Sequence, residues 1–349
     1  MMNDAAPLLE VDGLRKDFTI NGGLIARLLR TTQHLQAIRG ISFVIEEGET
    51  LGLVGESGAG KSTVGDVITR LQNPTEGEVR YRGRDVHTLE GDDLMEFRQS
   101  VQMVFQDPYS SLDPRYSIGR TMAEPLKIHT ALDKDERRER VEELLETVNL
   151  EPTFRDRYPH ELSGGQLQRV SIATALTVDP EFIILDEPVS ALDVSVQARI
   201  LNLLMRLQRE RGLSYLFISH DLSVVKHLSN RVAVMYLGKI VEHGETESLF
   251  QNPTHPYTEG LLASVPQPDP SVQRTQQQLE GEIPSPLDPP SGCSFHPRCD
   301  YATEECSEYE PPLEDVFGGR QAACHHWREV GEVPADADGV SDANAQADD

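Results

Sequence analysis

Apolar residues in this chain come in short runs between strongly polar stretches, and the runs change character along its length. Leu9, Val11, Leu14, Phe18 and Ile20 are interleaved with polar neighbours, which predicts an opening strand or two over 8–20. Gly22-Gly23 followed by Leu24, Ile25, Leu28 and Leu29 among arginines predicts an inserted loop with helical tendency over 21–36. Ala37 to Ile45 reads as a strand, turned by Glu46-Glu47-Gly48-Glu49 into a buried strand over Thr50–Val54. Thr63 to Leu71 has helical spacing, and Gly77 to Gly83 is a further short strand. From about 92 to 179 the pattern turns helical; over 133–149, acids pair with bases four residues apart while Val141, Leu144, Leu145 and Val148 form one stripe. Phe182-Ile183-Ile184-Leu185, Leu216-Phe217-Ile218-Ser219 and Arg231 to Met235 are buried-strand runs, with a long amphipathic helix over 196–211. Strands alternating with helices predict an α/β chain.

Near residue 251 the pattern lapses. Residues 251–292 are rich in Pro, Gln, Ser and Asp and read as a poorly packed connection. Four cysteines follow within 293–324, and the last stretch, 329–349, is an acidic segment predicted to be disordered. The expected division is therefore a domain over 1–250 with a helical subdomain at about 92–179, an extension over 251–328, and the tail.

Composition narrows the function classes. The chain has 349 residues, with 58 acidic against 32 basic residues and a net charge of −26. That balance disfavours nucleic acid as a partner, since phosphate contacts dominate such affinity. Lysine is confined to Lys16, Lys61, Lys127, Lys134, Lys226 and Lys239, and an acidic, lysine-poor surface is the composition expected of a halophile. No run approaches the ~20 apolar residues that span a bilayer. The first residues lack the charged and apolar regions of a signal peptide. A cytoplasmic protein whose membrane role comes through partners is expected.

Chemistry enters at Gly55-Glu56-Ser57-Gly58-Ala59-Gly60-Lys61-Ser62-Thr63, which fits the phosphate-loop pattern between a strand and a helix. Glycines let successive N–H groups curl around a phosphate at a helix N-terminus. Lys61 would reach the β- and γ-phosphates and Ser62 would ligate Mg²⁺. Asp186-Glu187, at the end of an apolar strand, supplies a carboxylate for the metal's water shell and a second, Glu187, to act as general base. Leu162-Ser163-Gly164-Gly165-Gln166 opens a helix as a second anion-binding N-terminus, which suggests nucleotide bound between two subunits.

These residues match the signature of the ATP-binding cassette (ABC) ATPases, and the resemblance runs over 8–250. It implies a RecA-like α/β core with an antiparallel β subdomain and an inserted helical subdomain, followed here by a small Cys-rich extension. It also implies ATP and Mg²⁺ as ligands, with Ser62, Gln106 and Asp186 around the metal. Gln106 resembles the Q-loop glutamine, Asp193 belongs to a stretch resembling the D-loop, and His220 resembles the switch histidine. Phe18 sits where the family places an aromatic on adenine. Two such domains would meet head to tail, each ATP lying between one phosphate loop and the other subunit's Ser163–Gln166.

Asp107 to Arg115, Glu187 to Ser195 and Asn252 to Thr258 look like the ATP-binding subunits of oligopeptide and dipeptide importers, and Pro188-Val189-Ser190 like the second of their two ATPases. That implies a heterodimer, two transmembrane permease subunits and an extracellular solute-binding protein. Nickel importers share the same look, and a soluble ABC ATPase of DNA repair or translation is the rival from another class. The cysteines are spaced Cys293-x5-Cys299-x6-Cys306-x17-Cys324. A cytosolic setting argues against disulfides, so a shared metal is expected. The importer family carries this pattern, with a four-iron cluster assigned in some members; an iron–sulfur cluster is favoured over structural Zn²⁺.

Overall fold

The computed structural model describes residues 6–21, 32–264 and 281–330. Two sheets organise it. The first is antiparallel, with β1 (Leu9–Asn21) between β2 (Thr32–Ile45) and β4 (Glu76–Tyr81), and β5 (Arg84–Asp85) outside β4. β2 begins at Thr32, so the last residues of the expected inserted loop are already strand; 22–31 lie outside the described residues.

The second sheet runs β11 (Glu314–Asp315), β12 (Gln321–Ala322), β10 (Lys239–Glu245), β9 (Arg231–Tyr236), β3 (Thr50–Val54), β8 (Ser214–Ser219), β7 (Phe182–Asp186), β6 (Val101–Val104). Its heart is parallel: β6, β7, β8, β3 and β9. β3, β7 and β8 are buried along their whole length, because both faces of the sheet are covered, and this is why they read as unbroken apolar runs. The strand period of two sorts their side chains between two cores. Ile183 and Leu185 join the cluster formed with the helices at 118–129, 164–175 and 194–211, while Phe182 and Ile184 join the one shared with the antiparallel sheet.

The stretch expected to be helical is interrupted. β6 lies within it and pairs with β7, Val104 beside Leu185. The inserted helices are Ile118–His129, Lys134–Thr147 and Gly164–Ala175. Asp133 caps the second, accepting from the N–H groups of Asp135 and Glu136, so the start of that helix is fixed by a capping box.

The segment read as a loose connection is well packed up to Ser264. Glu242, fully buried on β10 (Lys239–Glu245), accepts from the N–H and hydroxyl of Thr254, both at 2.8 Å, and from the N–H of His255 at 3.0 Å. One inward carboxylate thus organises a polar-looking stretch and positions the helix Pro256–Ala263, whose Tyr257 is buried. Farther on, β11 (Glu314–Asp315) and β12 (Gln321–Ala322) continue the central sheet, with Ala322 paired to Glu242. No helix among the described residues is long and apolar enough to cross a membrane.

Candidate active site

Four parallel strands end side by side, Val54 beside Ser219 and Asp186 beside Ile218, and each releases one chemical group at its carboxyl end. This is the crevice where open α/β sheets bind ligands. β3 leads into Gly55–Gly60, β7 into Asp186-Glu187, β8 into His220 and β6 into Gln106.

The phosphate loop curls as the glycine spacing demands. A Cβ on Gly55 would lie 2.1 Å from the Met235 carbonyl oxygen, and one on Gly60 2.2 Å from that of Ala37. Gly60 also adopts φ 101°, caps the helix Lys61–Ile68 and so aims that helix's free N–H groups into the loop. Lys61 is buried, its ammonium donating to the carbonyls of Gly55 at 2.8 Å and Glu56 at 3.0 Å. Burial lowers its pKa, while Glu187, Asp186 and Glu56 work to keep it charged.

Ser62 Oγ donates to Asp186 Oδ1 at 3.0 Å. Burial, reinforced by Glu187 and Asp66, pushes Asp186 up to about 6, against the pull of the Ser62 hydroxyl and the Lys61 ammonium. A hydroxyl, a carboxylate and the nearby Gln106 amide are oxygen donors of the kind Mg²⁺ takes alongside phosphate oxygens.

Glu187 is the hub. Its Oε2 accepts from Gln106 Nε2 at 2.8 Å, its Oε1 lies 3.2 Å from His220 Nδ1, and only 12% of its side chain is exposed. Its backbone takes φ 44°, a left-handed conformation that costs on the order of 1 kcal/mol for an L side chain. The N–H of Glu187 donates to Ile218 O at 2.9 Å, which pins that turn to β8. A carboxylate held in this way can take a proton from a water at the mouth of the loop.

Ser163–Gln166 and Asp193 are not part of this convergence. The Ser163 N–H donates to Gln166 Oε1 at 2.9 Å, and Ser163, Gly164 and Asp193 are exposed. Gly165 packs against the helix that follows Asp193, where a Cβ would lie 2.5 Å from Val196 Cγ1, so the two segments share one exposed face. Phe18 is half-buried on β1 with Lys16 Nζ 4.9 Å from its ring centre.

Two residues of the extension reach the site, a role the sequence did not assign to either. Arg298 grips Glu56 with both guanidinium ends, Nη1 to Oε2 at 2.8 Å and Nη2 to Oε1 at 3.1 Å. The Tyr257 hydroxyl accepts the N–H of Glu56 at 2.8 Å. In the sequence Tyr257 lies in the Asn252–Thr258 stretch that resembles the peptide importers, and Arg298 directly precedes Cys299.

The four cysteines are unpaired thiols gathered in that same lobe. Cys293 N–H donates to Cys306 O at 2.8 Å. Burial, with neighbouring thiols adding to it, pushes Cys299 up to about 11 and Cys324 up to about 12. A set of four thiols suits a soft metal. Among the described residues no group of three or more His, Cys, Asp or Glu side chains is disposed to hold an ion as they stand.

Comparison with known proteins adds the following. Residues 38–190 match the family model described as ABC transporter, and 241–306 match that of the oligopeptide/dipeptide transporter C-terminal region. The dipeptide transport ATP-binding protein DppF of Haemophilus influenzae is 49% identical over 325 residues, 93% of this chain and 98% of that protein. The oligopeptide transport ATP-binding protein AppF of Bacillus subtilis is 50% identical over 321 residues, 91% of this chain and 97% of that one. Among solved structures, the dimeric post-hydrolysis state of the ATP-binding cassette MJ0796, bound to ADP and Pi, superposes with TM-score 0.60 at 31% identity. That match covers 68% of this chain and 98% of the other.

Proposed function

The chain belongs to the family of ATP-binding subunits of oligopeptide and dipeptide ABC transporters, and we propose that it is the ATP-hydrolysing subunit of a peptide importer, attached peripherally to the cytoplasmic face of the membrane. The observation that supports its catalytic part best is Glu187 held between Gln106 and His220 beside the phosphate loop.

In this reading Lys61 turns from the Gly55 and Glu56 carbonyls to the β- and γ-phosphates, and Gly55–Thr63 wraps them with N–H groups. Ser62, Asp186 and Gln106 would hold Mg²⁺, which supplies charge neutralisation on the phosphate oxygens. Glu187 takes a proton from water as its oxygen attacks the γ-phosphorus, and the bond from that phosphorus to the bridging oxygen breaks to release ADP. His220 positions Glu187 and meets the γ-phosphate; Phe18 stacks on adenine. Ser163–Gln166 and Asp193 serve the nucleotide of a second ATPase subunit, a sister chain in a heterodimer. Two permease subunits and an extracellular solute-binding protein complete the assembly.

The four thiols Cys293, Cys299, Cys306 and Cys324 are proposed as ligands of an iron–sulfur cluster, with Zn²⁺ the alternative; the supporting observation is that four free thiols, a soft donor set, fall in one short lobe. Anaerobic purification with metal analysis tests it. About four irons per chain and a brown colour support the cluster; metal-free protein removes it.

The transport reading is tested with the assembled transporter in liposomes. ATP-dependent accumulation of labelled peptide, abolished by Glu187→Gln, is expected. Accumulation of Ni²⁺ in place of peptide would transfer the chain to a nickel importer.

A further inference from the structure

The phosphate loop is not held by its own domain alone. Glu56, its second residue, receives Arg298 from 242 positions away through two hydrogen bonds, and the Arg298 side chain is only 4% exposed. The same residue's N–H is taken by the Tyr257 hydroxyl, 201 positions away. Both groups stand in an aromatic wall: the ring centres of Tyr236 and Tyr257 are 4.6 Å apart, those of Tyr257 and Phe295 5.4 Å, and the Arg298 guanidinium lies 5.8 Å from the Phe295 ring. On the loop's inner side the Gly55 and Glu56 carbonyls face Lys61. Glu56 is therefore gripped by side chain and by backbone from outside while its carbonyl engages the phosphate-binding lysine.

We infer that Arg298 is a positioning residue for nucleotide, and that the extension, through Arg298 and Tyr257, sets the curl of Gly55-Glu56 that phosphate must find ready-made. The inference rests on the ATP-site reading above. A planar fork matched to a carboxylate fixes direction as well as distance, and Glu56 cannot swing without breaking both bonds. A loop fixed before binding does not lose that freedom on binding, which appears as affinity. It follows that any change in the cysteine lobe that shifts Arg298, which neighbours Cys299, alters ATP affinity more than the chemical step.

The test uses the full chain with a fluorescent N-methylanthraniloyl ADP. Arg298→Met keeps the stem and removes the fork; it should weaken nucleotide binding roughly tenfold and raise KM for ATP likewise, with kcat changed far less. Arg298→Lys should recover part of the loss, and Glu56→Gln should add little in the Arg298→Met background. Trp327, the single tryptophan of the chain, lies in the extension and reports its folding by emission in the absence of nucleotide. A purely docking role predicts altered Trp327 emission with unchanged nucleotide affinity. Should Arg298→Met disturb that emission, Tyr257→Phe, which removes only the acceptor of the Glu56 N–H, decides in its place. Nucleotide affinity within twofold of wild type in the folded variants overturns the inference. Lys61→Ala runs alongside: if it too leaves affinity unchanged, the ATP site itself is misplaced, whereas weakening by Lys61→Ala alone removes only the role of Arg298.

Discussion

Gln106 and Glu187, 81 residues apart in sequence, meet through one 2.8 Å hydrogen bond that ties the end of β6 to the end of β7. The bond occupies one oxygen of the carboxylate and leaves the other beside His220, so the group is aimed before substrate arrives. Glu187→Gln keeps the shape and removes the basicity. Turnover should fall by roughly 10²–10⁴-fold while ATP binding persists. Steady-state hydrolysis at the wild-type rate would remove Glu187 as general base.

Lys61→Ala deletes the ammonium that now holds the Gly55 and Glu56 carbonyls. Loss of a charged hydrogen-bond donor to phosphate should weaken nucleotide binding by roughly ten- to a hundredfold. Equilibrium titration reads this directly, and an unshifted binding curve would take the lysine out of the phosphate site.

Glu242 is fully buried and satisfies three donors of Thr254 and His255. Glu242→Ala should leave those donors stranded at about 1–3 kcal/mol each, lowering the urea midpoint of the whole chain. A loss under about 1 kcal/mol would mean that the segment finds other partners.

His255 is buried, and its Nδ1 accepts the N–H of Tyr257 at 3.0 Å, so the ring is neutral. Burial holds its pKa down at about 3, against 6.5 when exposed. The unfolded chain therefore binds the extra proton between these values, and stability falls as pH is lowered from 6.5 towards 3, by at most ~1.4 kcal/mol per unit. The raised pKa of buried Glu242 acts in the opposite sense, favouring the folded chain as pH drops towards 4.5. His255→Asn, which retains an acceptor, should show a shallower acid limb in urea midpoints below pH 6.5. Equal slopes for the two proteins would show that His255 is protonated in the fold.

The catalytic groups were readable because each sits at the end of one strand and is announced by local pattern: glycines before Lys61, an apolar run before Asp186, another before His220. Their convergence follows from parallel strands aligned in register. What escaped reading depends on distant partners. Val101–Val104 is too short to show a period, and only β7 makes it a strand. Thr254, His255 and Tyr257 look like loop composition, yet a carboxylate on β10 and the N–H of Glu56 give them buried places. Arg298 carries no local signal that its partner lies in the phosphate loop.

The short pairing of β12 with β10, Ala322 opposite Glu242 and Gln321 opposite His243, has a consequence for how the protein behaves in a crowded cell. Strip away 314–322 and the outer rim of β10 shows bare amides and carbonyls, a template on which a second copy can add as a further strand. Residues 314–322 thus cover part of that rim, and chains ending near residue 250 are expected to elute as larger species in size-exclusion chromatography; elution as monomers would show that the rim is harmless when bare.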